Sequence, residues 1–439
     1  MSLILTRLNF PIFLISLFFL RLPPFYILPF QSAFFTSHSI ARYLLLFLFA
    51  SIWYLSYKGK RLLTVERSLL YLVLFYFLTQ SLSVIDVVNI KIFLSNYKTV
   101  IFSIMLFFIA LALLDSKEKI DKTIHLLLFT LIINLVVEFI IYFQPALLFS
   151  LIRLIFYPEY WRVMYLNLSR GRYFVDMYET TLIPLLFLYA FYFKKGVLNR
   201  IATIFYISVA SFFALLSGFR TQLLMVLFSL FGSFIVFFKR SKMVVYFLMV
   251  VFMFLYIGYK ASGLLGDNYN SLTRLIFPEQ EEQNSIRGRL YMWGYSIKLA
   301  QAYPLFGVGL GNFYDFLPAV KKYPHQSLGD PKGELAQVSE SHPHSIIFGT
   351  LAESGYLGLI SLILLIGYFA LTDLRAFLRK KPKVNLVIVS FWSLFIFALF
   401  NPPVILQYLV LFWILRALIV KLQTVPFNHK GLFYFWLDN

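Results

Sequence analysis

The sequence contains no cysteine. That excludes disulfides, thiolate metal sites and a cysteine nucleophile. Charge is scarce too. Only 13% of the 439 residues are Asp, Glu, Lys or Arg, against about a quarter in soluble domains. The charge present leans basic, with 39 Lys and Arg against 20 Asp and Glu and a formal net charge of +19. Such an excess suits nucleic acid or an anionic membrane surface. No basic block runs longer than a few residues and no soluble module is visible, so the membrane is the expected partner and nucleic acid is not. Internal repeats are not visible either.

Apolar residues dominate instead. They make up 60% of the chain, with 20% aromatic and a mean hydropathy of +0.79. Many apolar runs reach the roughly 20 residues that a helix needs to cross a bilayer. The run from Leu8 to Leu20 resembles a signal-peptide core, but lacks an A-x-A site and is followed by more apolar sequence, so it reads as a retained helix. The pattern predicts an all-α polytopic membrane protein of about twelve transmembrane helices. They fall near 8–22, 40–57, 68–85, 98–114, 124–150, 174–193, 200–217, 219–238, 243–260, 345–371, 384–400 and 403–421. Basic residues fill alternate gaps: Lys58 to Arg67, Lys117 to Lys122, Lys194 to Arg200, Lys239 to Lys242 and Arg375 to Lys383. The positive-inside rule makes those gaps cytoplasmic and puts both termini inside. The chain then divides into nine helices over 1–260, a large outer loop over 261–344, and three helices with a cytoplasmic tail over 345–439.

The outward gaps near 151–173 and at Ser217 to Phe219 favour arginine over lysine: Arg153, Arg162, Arg170, Arg172 and Arg220. A guanidinium grips phosphate or carboxylate with a two-pronged fork that lysine lacks. Snorkelling to lipid phosphates explains any one of them equally well. In the long loop, Ser285 to Ala302 has helical spacing, with Ile286, Leu290, Trp293 and Ile297 on one side, as in a helix lying on the membrane surface. Gly307, Gly309 and Gly311, following Pro304, break any helix and permit close backbone approach. Segment Lys321 to Glu340 reads as irregular.

Polar chemistry concentrates between Arg287 and Gly358. The stretch reads R-G-R-L-Y-M-W (Arg287 to Trp293), Y-P-L-F-G-V-G-L-G-N-F (Tyr303 to Phe313) and S-H-P-H-S-I-I-F-G-T-L-A-E-S-G-Y-L-G (Ser341 to Gly358). It resembles the signature block of the O-antigen ligase and O-antigen polymerase superfamily of bacterial inner-membrane glycosyltransferases. In that block an arginine stands four residues before a tryptophan, as Arg289 and Trp293 do here. A P-x-x-G-x-G-x-G run follows, matched by Pro304, Gly307, Gly309 and Gly311. A histidine and an E-x-G-x-x-G helix close it, matched by His344, Glu353, Gly355 and Gly358. S-G-F-R (Ser217 to Arg220) and R-G-R-Y-F (Arg170 to Phe174) are similar to further family elements. Ser345 departs from the pattern, since asparagine is common there.

The resemblance implies a metal-independent, inverting glycosyltransferase of the GT-C type, needing no cofactor. It would take a glycan from undecaprenyl pyrophosphate at the periplasmic face of the inner membrane. A ligase passes that glycan to lipid A–core; a polymerase passes it to another lipid-linked repeat unit. The clean signature block and the single dominant outer loop favour the ligase. Arg220 and Arg289, with Arg172 and Arg287, would hold the pyrophosphate. His344 would be the catalytic base, because histidine accepts a proton near neutral pH. His342, Glu353, Gly307 and Gly309 would support it, with His342 pointing elsewhere along an extended segment. Four other readings compete. The histidines could cap the loop-to-helix junction. With His325 they could hold zinc, although no thiolate joins them. Asp176 and Glu179 could form a carboxylate site, or merely satisfy Arg172. A secondary transporter would place polar groups at the midplane of paired, broken helices, whereas here they collect at one face.

Overall fold

A computed structural model describes residues 2–22, 25, 36–58, 66–143, 179–190, 197–216, 220–237, 256, 280–317, 342–379, 381–401 and 406–424. Among these the architecture is helical. The helices are α1 (Ser2–Arg21), α2 (Ser37–Tyr57), α3 (Arg67–Leu82), α4 (Ile90–Leu113), α5 (Lys117–Phe143) and α6 (Ile183–Leu188). They continue with α7 (Val197–Leu216), α8 (Arg220–Phe237), α9 (Gln280–Ala302), α10 (Ile346–Leu378), α11 (Pro382–Phe400) and α12 (Leu406–Thr424). Six helices among the described residues are long and apolar enough to cross a membrane: α2, α4, α5, α10, α11 and α12. The predicted span at 243–260 lies outside the described residues apart from Tyr256, and the one at 174–193 is described only from Glu179, as a short 3-10 turn running into α6.

The main core forms where α4 packs along α12, and where α8 packs along α11. Phe107 meets Trp413 with ring centroids 5.1 Å apart, and both are buried. Outward faces stay apolar as well: Phe47, Phe49 and Trp53 on α2 are exposed. A helix apolar all round is one whose outer face meets lipid rather than water.

Helix ends sort onto two sides. On one side Tyr368, near the end of α10, donates to Glu66 ahead of α3 at 2.6 Å. There too Lys119 pairs with Asp115 at 2.9 Å, and Asp121 lies within electrostatic reach of Lys383 at the start of α11. On the other side the buried Arg21, ending α1, donates to the carbonyl of Gln407 at the start of α12. The α3–α4 turn and the start of α10 share that second side, where the glycine-rich segment docks.

One sequence expectation changes. Helix α4 begins at Ile90 rather than near 98, because Asn89 caps it by accepting from the Ile92 N–H at 3.3 Å. Helix α9 buries Met292, Tyr295, Ser296 and Leu299, while Leu290 and Ile297 of the predicted apolar stripe stay exposed. The buried side faces a small second core of Val308, Phe313, Phe316, Leu317 and Ala352, which leaves the stripe of Leu290 and Ile297 on the outer face.

Candidate active site

The site is built from two signature motifs that lock together through their backbones. Helix α10 breaks at Gly355, whose φ of 65° and ψ of −166° are not helical. In an unbroken helix the carbonyls of Ala352 and Glu353 would accept from residues four further on. Here the Val308 N–H donates to Ala352 O and the Gly309 N–H to Glu353 O, each at 2.9 Å. The Tyr356 N–H, freed by the same break, donates to Pro304 O at 2.8 Å. The glycine run therefore supplies the hydrogen bonds that the kink gives up.

That docking requires glycine. Gly307 and Gly355 both have positive φ, and a Cβ on Gly307 would strike the backbone of Ala352 and Glu353, while one on Gly355 would strike Leu305. Gly311 presses against Asn96 of α4 in the same way. A polar ladder completes the seating. Asn312 accepts from the Asn89 N–H at 2.7 Å, and the Asn89 amide donates to Asp315 at 3.1 Å. Ser354 donates to the buried Gln80 at 3.1 Å, tying α3 to the first piece of α10.

The histidines sit over this frame. Trp293 of α9 donates its indole N–H to Pro343 O at 2.8 Å and stacks on Phe348 with centroids 4.9 Å apart. This fixes the middle of the H-P-H segment. His344 has a φ of 50°, the left-handed region that side chains other than glycine rarely adopt. The turn stops the segment from running extended, and that corrects the sequence reading of His342. Rather than pointing away, His342 turns inward, its Nε2 4.0 Å from Glu353 Oε1 and its ring edge-to-face with His344 at 6.5 Å. Burial, with His344 adding to it, pushes the His342 imidazole from 6.5 down to about 3. Neither ring nitrogen of His342 has a hydrogen-bond partner among the described residues. The N-cap position of α10 is Ser345, which makes no side-chain cap hydrogen bond.

Glu353 is 3% exposed and two turns into α10. Its carboxylate takes the backbone N–H groups of Gly311 and Phe313 as partners, while Oε1 has no hydrogen bond among the described residues. Arg289 lies one turn before Trp293 on α9, half-buried. Arg220 opens α8, which packs along α11, which in turn packs against α10. Arg287 lies on α9 beside Arg289 in sequence. Arg172, Asp176 and His325 fall outside the described residues. Among the described residues no three His, Asp or Glu side chains gather as a metal site would require.

A family model described as O-antigen ligase matches residues 202–363, which run from α7 through Arg220, the glycine run and both histidines into α10. Over residues 202–363 the chain is similar to the O-antigen ligase family, and this match supports the resemblance read from the sequence. No curated protein matches the chain. With this family come lipid-linked glycan substrates and a glycosyltransferase-like enzyme embedded in a membrane. The ligase-family signature accounts for His344, Glu353 and the glycines, but not for Asn89, Gln80, Asn312 or Asp315. Of these, Gln80 and Asn89 carried a legible signal: a lone amide in the apolar α3, and an asparagine where a helix begins.

Proposed function

We propose that the protein is an O-antigen ligase. It transfers a glycan from undecaprenyl pyrophosphate to lipid A–core at the periplasmic face of the inner membrane, without a metal and with inversion. The observation that carries this reading is the backbone lock between the glycine run and the broken start of α10, which brings His342, His344 and Glu353 to one helix end.

The donor already has a good leaving group. His344 takes the proton of an acceptor hydroxyl. The oxygen attacks the anomeric carbon from the face opposite the pyrophosphate, and the bond from that carbon to the leaving oxygen breaks. Charge then gathers on the lipid pyrophosphate. Arg220 and Arg289, aided by Arg172 and Arg287, neutralise it. Arg220 gains from its place at a helix start, where backbone N–H groups also favour an anion. His344 suits the base role better than His342, because an imidazole held near 3 is too weak an acceptor at neutral pH. His342 and Glu353 support it from beneath, and the strained backbone at His344 is the kind of outlier that gathers at functional sites.

A deletion strain tests the assignment through its glycan ladder. Loss of a ligase leaves long lipid-linked chains that never reach lipid A–core. Core capped with a single repeat unit would instead identify a polymerase. Topology offers a second check, made simple by the absence of native cysteine. In intact spheroplasts an impermeant thiol reagent should label a cysteine replacing Ser341 and spare one replacing Arg240. The reverse pattern would place the site on the wrong side of the membrane.

A further inference from the structure

Two cations stand near each other on α2 and α4 with no counter-charge among the described residues. Arg42 on α2 lies over the ring of Phe102 on α4 at 5.8 Å, and Lys98, one turn before Phe102, is within electrostatic reach of it. Arg42 is half-buried, and its Nε is fully buried without a hydrogen-bond partner; Lys98 is exposed. Neither makes an ion pair or hydrogen bond among the described residues. Helices α1, α3 and α12 pack against this pair of helices. None of those three, nor α2 or α4, contains a single Asp or Glu, and no acidic residue precedes Glu66 in the chain. Two neighbouring cations near the headgroup boundary repel each other, and an anion between them relieves that repulsion.

We propose that Arg42 and Lys98 bind the phosphate of a membrane-embedded lipid, at a site separate from the arginines assigned to the pyrophosphate. Among the described residues no carboxylate on the helices around this pair answers its charge, so the proposed partner is a lipid anion at the depth of the first turns of α2 and α4. Both helices begin on the side that carries the glycine run. Arg42 is about 8 Å and Lys98 about 12 Å past those beginnings at 1.5 Å per residue, near a headgroup boundary. A charge of plus two is matched by a phosphomonoester or diphosphate, which carries about −1.5 to −2, better than by a phosphodiester. The ligand is therefore a lipid with a phosphomonoester or diphosphate headgroup rather than a phosphodiester phospholipid, and a polyprenyl monophosphate is the form that the proposed function would supply. Asn96, which abuts Gly311, is two residues from Lys98 and so on the other side of α4. The bound headgroup would lie about one helix diameter, some 10 Å, from the glycine run. This deepens the proposed function by adding a second lipid position, but it does not depend on which glycan is transferred.

Lipid retention by the purified full chain, read by native mass spectrometry, tests it. Undecaprenyl monophosphate and phosphatidylglycerol serve as probes. Wild type should hold one molecule of the monophosphate that Lys98→Gln holds about tenfold less tightly, the loss expected for one charge-assisted contact. Lys98 is exposed, so this variant does not threaten folding, and Arg42→Gln should match it. Arg220→Gln/Arg289→Gln, which addresses the proposed pyrophosphate site, should leave that molecule in place. Equal retention of phosphatidylglycerol, or unchanged retention in Lys98→Gln, overturns the proposal. Loss of the lipid in the Arg220/Arg289 variant alone overturns it too, and leaves the proposed function standing.

Discussion

Helix α10 carries two buried carboxylates with opposite fates. Asp373, toward its end, is saturated. One oxygen accepts from Arg416 at 2.6 Å and the other from the Trp392 indole at 3.0 Å. Arg416 also reaches Thr372 at 3.0 Å and lies over the Phe369 ring at 4.1 Å. Glu353, roughly 30 Å away along the helix, keeps Oε1 without a hydrogen bond and faces a histidine across 4.0 Å. Both are equally buried, so burial does not distinguish them. Satisfaction does. A carboxylate with both oxygens engaged by α11 and α12 is built to hold the helices together, although the Nε of Arg416 has no hydrogen bond among the described residues. A buried carboxylate and imidazole with open valences, fixed by backbone bonds, are arranged for something that arrives.

The largest effect should come from breaking the saturated end. Arg416→Met leaves Asp373 buried and unpaired, at an expected cost of about 3–5 kcal/mol of stability. Asp373→Leu combined with Arg416→Met should recover most of it, measured as detergent-resistant folding at rising temperature. Recovery of transfer activity along with stability would support a purely structural role for this end. At the site end, Glu353→Gln should behave differently. One amide oxygen can still accept from Gly311 and Phe313, so the unfolding temperature should hardly move while transfer falls. Unfolding of Glu353→Gln as severe as that of Arg416→Met would erase the distinction between the two carboxylates.

The arginines come next. Arg220→Lys and Arg289→Lys keep the charge but lose the fork, and a contact worth about 1.5–3 kcal/mol corresponds to a ten- to hundred-fold slower transfer. Rates near wild type in well-folded variants would remove them from the site. Trp293→Phe keeps the stacking on Phe348 and loses only the bond to Pro343, about 0.5–1.5 kcal/mol. A several-fold loss of transfer with little loss of stability is the expected result.

Much of this contrast was legible in the sequence, and some was not. The R-x-x-x-W, glycine and histidine elements are short, rich in residues with special backbone freedom, and recognisable in order. The sequence does not state that Gly355 breaks α10 and that Gly307 to Gly311 repair the break, because that pairing joins segments more than forty residues apart. The apolar stripe of Leu290 and Ile297 on α9 is legible in the sequence, but the packing of Met292, Tyr295 and Leu299 against the second core is not, because that core joins separate segments. His342 was misread because a positive φ at a histidine has no sequence signature. Asp373 and Arg416 lie on different helices, and nothing in either segment alone names the other as partner.

The smallest predicted effect is on pH dependence. Burial, with His344 adding to it, holds His342 neutral, with its folded value near 3 against an ordinary 6.5. The unfolded chain therefore binds the extra proton first as pH falls. Stability should be undiminished by this group above about pH 6.5 and lost progressively below it. His342→Gln should flatten the fall in unfolding temperature between pH 6.5 and 5 by roughly 2–4 °C. An identical slope in the two proteins would mean that His342 is not held neutral there.

The division of labour at the open end rests on His344, and purified His344→Ala tests it most directly. Donor-lipid binding and glycan transfer should be measured on the same folded preparation, with and without a chelator. The expected result is donor binding close to wild type, transfer slower by about a hundred-fold or more, and no effect of the chelator on the wild type. Transfer at the normal rate, or wild-type activity abolished by the chelator and restored by added metal, would contradict the histidine-base mechanism.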